Sequence, residues 1–122
     1  MHQIPDDIVV RPLIGHRIES VSFWQYGYNL FTSAKYCNPQ VTGESRVRDC
    51  SGVESIVTRH CVNDEPFWAN PIHLVDLIEQ DITGHRISED RWELALQFAN
   101  GYELILNTGI NFECFKLIDT WY

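Results

Sequence analysis

The chain has 122 residues, of which 44% are hydrophobic and 21% charged, with nine Lys and Arg against 17 Asp and Glu and a net charge of −8. That length suits one domain, 1–122, able to bury about two-thirds of its unfolded surface without covalent staples. The charge disfavours nucleic acid and anionic lipid as partners, since both demand cations, and suits a protein with a basic surface, which long-range attraction would steer into contact.

No run approaches the roughly 20 apolar residues a membrane helix needs. The opening MHQIPDDIVVRPL lacks a cationic start, and Asp6 and Asp7 interrupt it, so it does not read as a signal peptide. A cytoplasmic location is the resulting expectation. Cys37, Cys50, Cys61 and Cys114 then read as reduced thiols. A zinc site would have to use Cys37, Cys50, His60 and Cys61. His60 and Cys61 are neighbours, which point to opposite faces of a strand, so zinc is disfavoured.

Taken in chain order, strands are expected over 7–10, 17–23, 28–32, 52–62 and 112–118. The stretch Lys35 to Asp49, with Pro39 and Gly43, reads as a long loop joining two halves. Asn70 is a good N-cap and Pro71 fits the first helical position, so a short helix is expected over 71–81. Ile72, Val75 and Ile78, with Leu74 and Leu77 beside them, would form its apolar stripe, and Gly84 would close it.

The next segment carries the clearest β signal. Trp92, Leu94, Leu96 and Phe98 alternate with Glu93, Ala95 and Gln97, and Tyr102, Leu104 and Leu106 alternate with Glu103, Ile105 and Asn107. A two-residue loop would place Phe98 against Glu103. A three-residue loop, Ala99 to Gly101, pairs Phe98 with Tyr102, Leu96 with Leu104 and Leu94 with Leu106, making one face wholly apolar. Register follows the buried face, so the three-residue loop with a glycine bulge at Gly101 is predicted.

Gly15-His16-Arg17-Ile18 recurs as Gly84-His85-Arg86-Ile87, each followed by a Gly-Tyr pair, Gly27-Tyr28 and Gly101-Tyr102. Each copy reads as a glycine-led strand, a turn and a returning strand. The expected fold is therefore α+β: mainly antiparallel sheet, built from two imperfectly duplicated hairpin units, with one short helix near 71–81.

The words "LIGHRI" and "LIEQDITGHRI…LALQFANGYELIL…FECFKL" resemble a family of small bacterial proteins of unknown function, over roughly 12–32 and 74–118. The resemblance implies an α+β fold and a bacterial source. In size and build such chains are similar to immunity proteins that neutralise toxins delivered between bacteria.

Chemistry-bearing constellations are sparse. His73, Asp76, Glu79 and Asp81, with His85 beyond, crowd one region, where a His and an Asp three apart on a helix could form an acid–base pair, though a solvated face is the plainer reading. Arg59-His60-Cys61 fails as a nucleophilic set because adjacent strand side chains diverge. No Gly-x-Ser-x-Gly, phosphate-cradling loop or dinucleotide fingerprint occurs, and no cofactor or metal is expected. Asp64-Glu65-Pro66-Phe67-Trp68-Ala69-Asn70-Pro71 combines acids, aromatics and prolines, the composition of an interaction surface. The partner-binding candidates are Asp64, Glu65, Phe67, Trp68, Asp76, Glu79 and Asp81. The leading expectation is a non-enzymatic protein-binding domain, an immunity protein or antitoxin for a basic, nuclease-like toxin. The alternatives are a small-ligand sensor with a pocket between sheet and helix, and a small hydrolase using His73 or His60.

Overall fold

The computed structural model describes residues 3–35, 37–59, 68–108 and 114–122. The chain forms two sheets of antiparallel ladders. The first is built on a hairpin, β1 (Ile18–Trp24) with β2 (Gly27–Thr32), closed by Gln25 and Tyr26 so that Trp24 pairs Gly27. The short strands β3 (Gln40–Val41) and β10 (Phe115–Lys116) extend it in the order β1-β2-β3-β10. A Cβ on Gly27 would run into the Val41 carbonyl, so only glycine lets β2 approach β3.

The second sheet holds β4 (Ser45–Arg48), β5 (Glu54–Arg59), β6 (Trp68–Ala69), β7 (Ile82–Ile87), β8 (Glu93–Phe98) and β9 (Glu103–Asn107), ordered β6-β5-β4-β9-β8-β7. One apolar cluster draws on both sheets: Ile18, Tyr28, Leu30 and Val41 from the first, Val47, Val57, Leu94, Leu96, Leu104 and Leu106 from the second. The backbone entering β1, through Ile18, also zips onto that entering β7, through Ile82. Gly15 N–H donates to the Ile82 carbonyl at 2.7 Å, Ile82 N–H to His16 at 2.7 Å, and Glu79 N–H to Ile18 at 2.6 Å.

The β8–β9 hairpin has the predicted register, with Leu94 opposite Leu106 and Leu96 opposite Leu104. Phe98 N–H donates to Tyr102 at 2.9 Å across the three-residue loop, and Gly101 takes φ +85°. The tail is docked: Tyr122 N–H donates to Phe115 at 2.7 Å, and Cys114 N–H donates to Tyr122 at 2.6 Å.

Other expectations need correction. The helix begins where predicted, with Asn70 Oδ1 accepting from Ile72 N–H at 3.3 Å, but it is a 3-10 helix and ends at Leu77. Among the described residues both helices, Arg11–Leu13 and Pro71–Leu77, are of the 3-10 type, so the helical share is smaller than the α+β expectation supposed. Glu79 at φ 67° turns the chain into its bonds with Ile18, which stops the helix early. Leu74 and Leu77 are buried, whereas Ile72 and Val75 of the expected stripe are exposed. Gly84 is not a cap but lies within β7. The stretch read as a loop, 35–49, contains β3 and β4. Residues 7–10 form no strand, 52–62 narrows to β5 within its described part, and 112–118 to β10 within its own. The two copies of Gly-His-Arg-Ile differ in setting. One strand separates the first from its Gly-Tyr pair; the second lies inside β7, with all of β8 intervening. No helix among the described residues is long and apolar enough to cross a membrane.

Candidate functional site

The strand β4 reads Ser-Arg-Val-Arg. Its period of two buries Ser45 and Val47 and turns Arg46 and Arg48 to the outer face of the second sheet. Register then sets Arg48 between Glu103 on β9 and Glu54 on β5, and Arg46 between Ile105 and Ile56. On β8 the outward positions are Glu93, Ala95 and Gln97, and on β7 Arg86 lies across from Ala95. A lattice of ion pairs results. Arg46 donates to Glu54 at 2.7 Å, to both Glu93 oxygens at 2.8 and 2.9 Å, and to Asn107 Oδ1 at 3.2 Å. Arg48 donates to Glu54 at 2.9 Å and to Glu103 at 3.2 Å. Arg86 grips Glu103 with two bonds of 2.8 and 3.0 Å. Ala95 and Ile105, at the middle of this face, are buried, so the long stems around them close over the sheet.

The electrostatics follow the contacts. Arg86 beside Glu103 holds that carboxyl below the usual carboxylate range and is itself raised. Arg46 lowers Glu54 in the same way. Burial works against the charge of Arg46, but Glu93 and Glu54 outweigh it and raise its pKa. Three arginines meet three glutamates, so the lattice is neutral. Setting them aside leaves fourteen acids against six Lys and Arg in the rest of the chain.

Beneath this face runs a buried chain of hydroxyls. Tyr28 donates to Ser45 Oγ at 2.8 Å, Ser45 and Thr58 stand 2.6 Å apart, and Thr58 donates to the Gly43 carbonyl at 2.7 Å. Each hydroxyl has one proton. Thr58 gives its own to Gly43, so Ser45 donates to Thr58 and the chain points one way. It joins β2 of the first sheet to β4 and β5 of the second. Burial raises the Tyr28 pKa, keeping it a neutral donor. Ser45 and Thr58 also floor a shallow cleft of about 130 Å³ bordered by Glu44, Arg46, Ile56, Arg59 and Asn107. Both hydroxyl protons point inward and Arg46 is committed to its carboxylates, so Glu44 and Arg59 are the charges left to meet a ligand there. Among the described residues, no three of His, Cys, Asp and Glu gather closely enough to hold a metal ion.

The acids read from sequence are dispersed. Asp64, Glu65 and Phe67 lie outside the described residues, as does the side chain of Trp68, whose backbone pairs with Arg59. Asp76, Glu79 and Asp81 are all exposed. The Asp76 carbonyl accepts from Asn100 Nδ2 at 3.0 Å, at the tip of the β8–β9 hairpin. Its charge raises the Tyr102 pKa, burial and then Cys50 and Asp49 adding to it. Asp49 comes to the same hairpin tip, since its neighbour Cys50 lies against Gly101; the sequence shows it only as a turn signal, Asp-Cys-Ser-Gly. Asp49 accepts from Ser51 Oγ at 2.7 Å and from Val53 N–H at 3.0 Å, which hold it ionised below its usual range. Glu79 and Asp81 lie between the helix and β7, where Glu79 N–H donates to the Ile18 carbonyl, and Asp81 forms a backbone β-bridge with Arg17, its carbonyl accepting from Ala99 N–H at 3.0 Å. No hydrogen bond joins His73 to Asp76 among the described residues. Compared with known proteins, the chain matches no protein-family model, no curated protein and no solved structure.

Proposed function

We propose that this chain is a protein-binding domain that captures a basic partner, in the manner of an immunity protein or antitoxin blocking a cationic toxin cleft. The observation that carries the reading is the partition of charge. The clustered arginines of the second sheet are neutralised by Glu54, Glu93 and Glu103, so the surplus of acid is borne by the remaining surface. A nuclease cleft is cationic because it holds phosphates, and an acidic blocker meets it with a complementary field. Asp64, Glu65, Phe67 and Trp68, with Asp76, Glu79 and Asp81, remain the partner-binding candidates. The bacterial resemblance of the hairpin words supports the same reading.

The test is co-expression with the product of the adjacent gene and recovery of a complex. Charge reversal at Asp64 and Glu65 should slow association several-fold, as should raising the salt. Reversing Glu93 or Glu103 should act through stability instead, because both sit in the lattice. A complex indifferent to salt and to Asp64 and Glu65 would refute the proposal.

A further inference from the structure

The 3-10 helix Pro71–Leu77 winds three residues per turn, so its side chains fall into straight ridges at i and i+3. One ridge, Leu74 and Leu77, is buried in the core. A second carries His73 and Asp76. The third carries Ile72 and Val75, which are 65% and 60% exposed. Scattered single apolar residues on a surface need no account. These two are neighbours on one ridge, and both are β-branched, a type that gains nothing from an exposed helical position. Asp76 flanks them on the same helix; its carbonyl accepts from Asn100 Nδ2 at 3.0 Å at the hairpin tip, where Gly101 lies against Cys50, the residue that follows Asp49. Neither Asp49, Asp76 nor Glu79 forms a salt bridge among the described residues.

We infer that the Ile72–Val75 ridge, bordered by Asp76 and Asp49, is the anchor of a docking surface for a basic protein segment in which cationic and apolar side chains alternate. The inference rests on the function proposed above and names where that partner is held. Charge complementarity selects the occupant. The apolar side chains of the segment cover Ile72 and Val75, its cations meet Asp76 and Asp49, and exclusion of water from the ridge strengthens those pairs. A second copy of this chain would instead bring acid against acid at a net charge of −8.

The experiment titrates the isotope-labelled full chain with two short peptides, one alternating Lys and Leu and one of Lys alone, at about 50 mM salt. The Lys-Leu peptide should shift the amides of 72–77, 49–52 and 100–102. Ile72→Ser/Val75→Ser should weaken it about tenfold or more while leaving the Lys-only peptide unchanged, and Asp76→Lys should weaken both. Ile72→Thr/Val75→Thr keeps the branched shape and serves if the serine variant unfolds. Binding that maps elsewhere, or that survives both double variants, overturns the anchor and leaves the protein-binding reading standing. Failure of both peptides to bind overturns that reading itself. A self-association in ultracentrifugation that the serine variant abolishes would assign the ridge to a second copy and overturn the inference.

Discussion

The one-way hydroxyl chain between the sheets predicts unequal costs for three nearly isosteric deletions. Tyr28→Phe removes the first donor and leaves no proton stranded, since Ser45 still donates onward to Thr58. Its cost should be about 1 kcal/mol, the net worth of one hydrogen bond. Thr58→Val strikes the middle: it strands the Ser45 proton and takes the donor from the Gly43 carbonyl. Each buried group left unsatisfied costs about 1–3 kcal/mol, so the variant should lose about 3 kcal/mol. Ser45→Ala strands the Tyr28 proton and should fall between, near 2 kcal/mol. Added independently the three would lose about 6 kcal/mol. The triple variant strands only the Gly43 carbonyl and should lose about half that sum. Urea unfolding followed by tryptophan fluorescence reads all four values through the midpoint at constant m. If Thr58→Val costs no more than Tyr28→Phe, or if the single costs add up in the triple variant, the direction assigned to the chain is wrong.

Gly101→Ala should destabilise by about 1–2 kcal/mol in the same assay, because φ is +85° and the new Cβ would stand 3.2 Å from Cys50 Cβ. Glu103 has a folded pKa below its unfolded value of about 4.3. Its contribution is thus complete above that value and lost as pH falls through the folded one. Glu103→Gln should be less stable than the parent at pH 7, with the gap closing below about pH 4 in acid titrations monitored by circular dichroism; a gap independent of pH would show that the lattice contributes no charge-dependent stability. Thiol reagent should label exposed Cys50 first and buried Cys114 slowly, since burial pushes the Cys114 thiol up to about 11. After denaturation without reductant all four cysteines should react; two that stay silent would reveal a disulfide.

What could be read in the sequence was whatever local pattern alone decides. The 92–107 hairpin was legible to the residue because its period of two permits one register with an apolar face. The helix start was legible because Asn70 and Pro71 act through their immediate neighbours. Its type and end were not, because Leu77 is followed by a turn made for partners sixty residues away, at Ile18. β4 was missed for a related reason. Ser-Arg-Val-Arg shows one apolar residue, and the inward Ser45 belongs to a strand only because a hydroxyl chain, assembled from Tyr28 and Thr58, receives it. The arginine lattice shared that invisibility, since its members sit on five strands. Repetition of Gly-His-Arg-Ile misled, because one word serves a turn with φ +85° at Gly15 and an ordinary strand at Gly84.

The way the strands interleave has a consequence for synthesis. β3 waits for β10, whose residues Phe115 and Lys116 arrive some seventy-five positions later, and β4 waits for β9, about sixty positions downstream. The β1–β2, β2–β3, β4–β5, β5–β6, β7–β8 and β8–β9 ladders can close between successive strands as they emerge, whereas β3–β10 and β4–β9 cannot. The second sheet is not whole until β9 has left the ribosome, nor the first until β10 has, and the two share one apolar cluster that cannot be filled by halves. A nascent chain of this protein therefore carries unpaired strand edges through most of translation and acquires its structure in a late step dominated by long-range closures. Stalled or prematurely ended products should be the species that cellular proteases and chaperones meet.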